Sequence, residues 1–254
     1  MSIAGCVRDP DLLKVQNLKG HNVKVVDNIF LYSQSDIDNN FKNADEVIID
    51  MLEIRNHGEY DFKNIIFSYS GKNKKCNKST SGWHPFIIIG GEHSPVKVNI
   101  KNLIIKKSAP DGIDIQPDSV VKFKNLKLLH SCDEGLGVRN NAKIELINSK
   151  IISQYNKGIQ FDSNNQATIT NSEIISEQAL SLNNVNLNVT IDNSIIERHP
   201  HSKNGRLITG KNCSNISIKH TNTKFVGLQH LDGTINCSNV KINGKSYNQK
   251  SKIK

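Results

Sequence analysis

The sequence predicts an all-β protein, a single-domain right-handed parallel β-helix built from coils of about 23 residues with three short strands per coil. Three observations predict it. One pattern, two alternating apolar residues, an Asn and then more apolar residues, returns as VNIKNLII, VKFKNLKLL, IELINSKII, TITNSEII and VTIDNSII. Its marker asparagines, Asn102, Asn125, Asn148, Asn171 and Asn193, follow one another at 23, 23, 23 and 22 residues. A fixed period of that length is the mark of stacked repeats. Each period also holds three short alternating runs separated by turn residues, which is the pattern of strands and not of helices.

One period shows how a coil is assembled. Val121 and Phe123 alternate inward, Asn125 turns the chain, and Leu126, Leu128 and Leu129 make the next strand. A loop from His130 to Glu134 follows, then Leu136 and Val138 on a third strand, and Asn140-Asn141 close the coil. Asparagine suits such a turn because it tolerates the left-handed backbone region and hydrogen-bonds locally. Stacked one per coil, these asparagines can bond to each other.

Taken in order, residues 1–22 read as an N-terminal cap. Asp9-Pro10-Asp11-Leu12-Leu13 carries a cap residue and a Pro at the first helical position, so it predicts a short helix over the first coil. An open solenoid end would otherwise leave strand edges unpaired. The β-helix itself spans 23–244. It begins with less regular coils (23–70) and a polar, lysine-rich loop at 71–82. The strand FIIIG (86–90) leads into the regular coils, and a looser end contains a loop at 199–205. Residues 245–254 read as a polar tail.

Composition narrows the function classes. A hydrophobic fraction of 36% suffices for a narrow solenoid core. The net charge of +9 favours polyanionic partners such as acidic polysaccharides. Nucleic acid is not expected, since aromatics are only 6% and do not interleave with the basic residues. Five cysteines with no CxxC pair signal neither a zinc site nor a disulfide framework. Neither a signal-peptide-like run nor a membrane-spanning stretch is visible, so a soluble chain with no membrane partner is expected, acting as a monomer.

The candidate site comes from aligning the coils. Asp111, Glu134 and Lys157 are 23 residues apart at each step, which predicts one column. On the strands that follow, Asp114, Gly137, Arg139, Gln160 and Asp162 should point outward. Asp111, Asp133 and Glu134 thus form an oxygen-only set of the kind Ca²⁺ accepts, with Arg139 and Lys157 beside it for an anionic ligand. The alternative is a salt-bridged ladder with no ligand.

The chain reads FIIIGG, VNIKNLIIKK, A-P-D-G-I-D (109–114), VVKFKNLKLL and C-D-E-G-L-G-V-R (132–139). Over residues 86–161 this series resembles the small single-domain pectate lyases of the third polysaccharide lyase family. The family pattern is an apolar strand, A-D-G-I-H, an apolar strand, E-D-A, and a Lys five residues after that Asp. The resemblance implies a Ca²⁺-dependent lyase that cleaves a pectate-like uronate polymer by β-elimination outside the cell. It implies Asp111, Asp133 and Glu134 as metal ligands and Arg139 and Lys157 as catalytic groups. Asp162, Arg198 and Arg206 are expected to bind substrate; the last two flank the 199–205 loop and could replace the family's essential Arg. Where the family has that Arg, this chain has Ser181 and Asn183, and it lacks the family's usual cysteines. The opposing expectation is a non-catalytic β-helix, a spike or adhesin-like binding protein that keeps the scaffold without the lyase arginine.

Overall fold

The computed structural model describes residues 16–18, 21–63, 65–69, 85–90, 95–108, 111–154, 156–200, 206–227 and 238–247. They form a parallel β-solenoid, as the repeat predicts. Its strands fall into three lengthwise rows, each pairing in parallel with the equivalent strand of the next coil.

The first row includes Gly58–Asp61, Lys97–Lys101, Val120–Lys124, Lys143–Ile147 and Gln166–Thr170. The second includes Ile66–Tyr69, Ile104–Lys107, Lys127–Ser131, Lys150–Ser153, Glu173–Ser176 and Ile195–Arg198. The third, which carries the candidate site, includes Pro85–Ile89, Asp111–Ile115, Leu136–Val138 and Lys157–Phe161. In the long strands Gln178–Asp192 and Arg206–Thr221, third-row and first-row segments run together without a break.

Each row turns two columns of mostly aliphatic side chains into the core. Val121, Phe123, Leu126, Leu128, Leu136 and Val138, the inward set of a single coil, are all essentially inaccessible to solvent. Towards the N-terminal end the filling becomes aromatic: Phe67 meets Phe41, Phe62 and Phe86 edge-on at centroid distances of 5.3, 5.7 and 6.4 Å. Such edge-to-face pairs are favourable beyond their buried area.

The marker asparagines do stack. Asn102, Asn125, Asn148, Asn171 and Asn193 have φ of 55°, 62°, 50°, 50° and 46°. The Asn125 side chain donates to Asn102 Oδ1 at 2.8 Å, and Asn193 to Asn171 Oδ1 at 2.6 Å. A second ladder closes each coil through Asp118, Asn141, Asn164, Asn186, Asn215 and Asn239, again with positive φ and stacked side-chain bonds. We expect Asn125→Ala to cost about 2 kcal/mol, from strain in the left-handed region and the lost bond. Asn125→Gly should recover the backbone part. Urea unfolding measures both, and a cost near zero for alanine would remove the ladder from the account of stability.

Several expectations meet a different outcome or none. The helix read at Asp9–Leu13 and the 71–82 loop lie outside the described residues. Instead, a helix at Gln34–Phe41 replaces a first-row strand in an early coil. Ser33 and Asp36 form a capping box at its start, and Ile37 and Phe41 pack into the core. Its apolar spacing is too sparse to stand out among irregular coils. Lys245–Tyr247, read as the start of a polar tail, pair antiparallel with Ser238–Ile242. Cys132 and Cys213 are both disulfide-bonded, although spacing signalled no framework. Which coil corners meet is a tertiary fact that linear spacing does not carry. No described helix is long and apolar enough to cross a membrane.

Candidate functional site on the third row of strands

Backbone register brings Asp111, Glu134 and Lys157 into one column. Gly112 donates its N–H to Glu134 O at 2.8 Å, and Gly135 donates to Lys157 O at 2.9 Å. Glu134 N–H reaches Asp111 Oδ1 at 3.3 Å, while Lys157 Nζ pairs with Glu134 Oε1 at 2.8 Å. The column continues through Gln178 to Arg206, two strands beyond Lys157.

Glycines allow this closeness. A Cβ at Gly112, Gly135 or Gly158 would lie 2.4, 2.5 or 2.7 Å from the carbonyl oxygen of the next coil. Ser108, Ser131, Ser153 and Ser176 form a buried serine column, and the last three bond to the loops ahead of Gly135 and Gly158. Ser131 Oγ donates to Glu134 O at 2.5 Å, Ser153 to Asp133 O, and Ser176 to Asn156 O at 2.7 Å. Their near-regular spacing was in the sequence, but serine in a loop-rich chain is unremarkable until its burial is known.

Alongside runs a second charged line. Arg139 lies over Gly137 and contacts Asp114 at 2.5 Å, with Asp162 at 3.8 Å. Asp114 was expected to point outward, and it is covered all the same, 3% exposed. Gln116 also donates to it, at 2.5 Å.

Burial, reinforced by the Glu134 charge and then by Asp133 and Asp114, pushes Asp111 up to about 7. Burial also pushes Asp114 up to about 6, against the pull of Arg139. Burial raises Asp162 as well. Arg139 is opposed by its own burial, yet Asp114, Asp162 and Glu134 outweigh this and raise its pKa, so it stays a cation. The surrounding carboxylates thus favour the charged form of Arg139, which suits it to holding an anion.

The expected Ca²⁺ ligands fit a hard cation in chemistry. They offer oxygen only, and among the described residues no cation pairs with Asp111. They do not converge as they stand: Glu134 is held by Lys157, and Asp133 Oδ1 accepts from Asn156. Among the described residues no three His, Cys, Asp or Glu side chains form a group that could hold a metal.

The expected substrate-binding residues are only partly brought together. Asp162 is within the cluster, and Arg206 shares the Lys157 column at two strands' distance. Arg198 ends a second-row strand, paired with Ser176, and packs towards Gly227. Ser181 pairs with Gln160 on the outward face, where the lyase pattern would place Arg.

Fold and site together define a class: a parallel β-solenoid with a charged cluster on one outward strand face. The chain belongs to the family described as "Right handed beta helix region", whose model matches residues 85–234. No curated protein and no solved structure matches the chain.

Proposed function

We propose that this protein is a Ca²⁺-dependent lyase that cleaves an acidic uronate polymer by β-elimination on the outward face of the third row. The observation that carries the reading is the cluster of Asp111, Asp114, Glu134 and Asp162 around Arg139 and Lys157. Buried carboxylates with raised pKa values beside cations on one face are an arrangement that functional sites use.

Elimination removes the proton at C5 of a uronate, forms the C4–C5 double bond and breaks the C4–O bond to the leaving sugar, whose oxygen takes up a proton. Arg139 is a fixed cation suited to hold the uronate carboxylate and to stabilise the charge that builds up on it. Proton abstraction falls to the Lys157 amine, which takes the C5 proton. Asp111, Glu134 and Asp133 would hold the Ca²⁺ ion once Glu134 leaves Lys157 and Asp133 leaves Asn156, and the ion would supply positive charge that lets an anionic polymer approach. Gln160, which accepts from Lys157, orients the amine.

The specific observation for a second reading is Ser181 opposite Gln160 in place of an arginine. On that reading the face binds the polymer without cleaving it. Polygalacturonate with Ca²⁺ separates the two. Growth of the ultraviolet absorbance of unsaturated uronides, lost in Lys157→Ala, is the result expected of the lyase. Binding with no absorbance change would establish the second reading, and neither binding nor turnover would overturn both.

A further inference from the structure

We propose that Phe30, Tyr32 and Arg55 form a sugar-stacking subsite, a distal station for the same polysaccharide chain that occupies the charged cluster. The inference rests on reading the third-row face as glycan-binding, and adds to it where the chain runs and what holds its far end. Phe30 and Tyr32 are 41% and 46% exposed, whereas Leu31 between them is fully buried. Two large rings therefore stand on the solvent side of a strand whose other side is core.

The rings are held in place. Arg55 lies over Phe30 at 4.4 Å from the ring centroid and over Tyr32 at 5.9 Å. One of its nitrogens is fixed by Glu53 at 2.9 Å, and another donates to the Tyr32 hydroxyl at 3.1 Å. The guanidinium has five N–H donors, and the Arg55 side chain is 39% exposed, so its outer edge can still reach a ligand. The result is a half-exposed aromatic patch in which the guanidinium lies across Phe30 and is tied to the Tyr32 hydroxyl. A pyranose has the complementary form, an apolar C–H face with a polar rim, and a uronate adds a carboxylate for the guanidinium. Aromatic groups locked before binding lose little entropy on capture.

Register ties this platform to the site. Phe30 pairs with Glu53, Glu53 with Ile88, and Ile88 with Asp114. Beside it, Arg55 N–H donates to Leu31 O, Gly90 N–H to Ile54 O, Gln116 N–H to Ile89 O and Arg139 N–H to Ile115 O, so one backbone ladder runs from the Leu31 corner to Arg139. Three to four strand spacings separate platform and cluster, roughly 14–19 Å. A glycan lying along the solenoid axis would span both, and a short oligosaccharide bound at the cluster would not.

The test compares the parent protein with a Phe30→Ala/Tyr32→Ala double variant. The probes are polygalacturonate, trigalacturonate and the neutral polymer hydroxyethylcellulose, read by affinity electrophoresis and calorimetry. Neither ring is part of the core, so the variant should melt with the parent; if it does not, Tyr32→Phe with Arg55→Gln replaces it. The expected result is about a ten-fold loss of polygalacturonate affinity with trigalacturonate unaffected. Equal affinity of parent and variant for polygalacturonate would overturn the platform while leaving the charged site standing. Should the parent bind hydroxyethylcellulose alone, in a manner lost in the variant, the platform stands and the uronate reading fails. No retardation by either polymer overturns the platform as well. A parent dimer that the variant converts to monomer would overturn it too, marking the face as a contact between copies.

Discussion

Replacing Gly135 with alanine is expected to destabilise the protein by about 3 kcal/mol, and replacing it with valine by more. The added Cβ would lie 2.5 Å from Gly158 O and 2.6 Å from Ile151 Cγ2. The first of these is backbone, fixed by the ladder between coils, so no rotamer change relieves the clash. The coils must separate or shift register, and in a solenoid each coil is supported only by its neighbours. The equivalent position two coils on is Ala179, fully buried, so a Cβ is tolerated once the stack changes there. Ala179→Gly should therefore cost far less, about 1 kcal/mol. Urea unfolding of the three variants checks the ordering. If Gly135→Ala unfolded like the parent, the close approach of these coils would not be a constraint.

Arg139→Ala is the second large effect, and it depends on pH. Asp114 is almost wholly buried against Arg139, and removal of one partner from a buried pair costs about 3–5 kcal/mol because the other charge is left uncompensated. The sign follows from the raised pKa values. Asp111 and Asp114 hold protons in the folded state up to about 7 and about 6, above the ordinary value of 3.8. Between those limits the folded chain binds more protons than the unfolded one, so stability falls as pH rises. The parent, free of divalent cations, should be most stable at the acid end of this range and lose stability towards neutrality. In Arg139→Ala the Asp114 carboxyl loses its counter-charge, so the deficit should be largest above neutrality and shrink as acid protonates it. Urea unfolding in EDTA across this range measures both curves. A deficit that does not change with pH would mean that Arg139 acts by packing over Gly137, not by charge.

How much of the site was legible is clear from individual residues. The Asp111–Glu134–Lys157 column could be read because a solenoid converts a fixed sequence interval into a fixed spatial step. Arg139 and Asp162 could be assigned to the outward face by strand alternation alone. Their electrostatics could not be read. The burial of Asp114 depends on Arg139 folding back across Gly137, and the state of Asp111 depends on which carboxylates the register sets around it. The platform of Phe30, Tyr32 and Arg55 was hidden for a related reason. It lies in coils whose period is broken by the helix at Gln34–Phe41, so no interval linked it to the site.

Residue pattern and spacing are enough to specify the solenoid, its coil length, the asparagine turns and the faces of the regular strands. These are local choices repeated at a constant interval, and repetition makes local information global. Stacking of the coils was needed to reveal the second ladder, the buried serine column, the disulfide bonding of Cys132 and Cys213, and the covering of Asp114. Each of these depends on contacts between coils. Side-chain reach, exclusion of water and the balance of neighbouring charges arise only when the coils are stacked, and no interval along the chain encodes them.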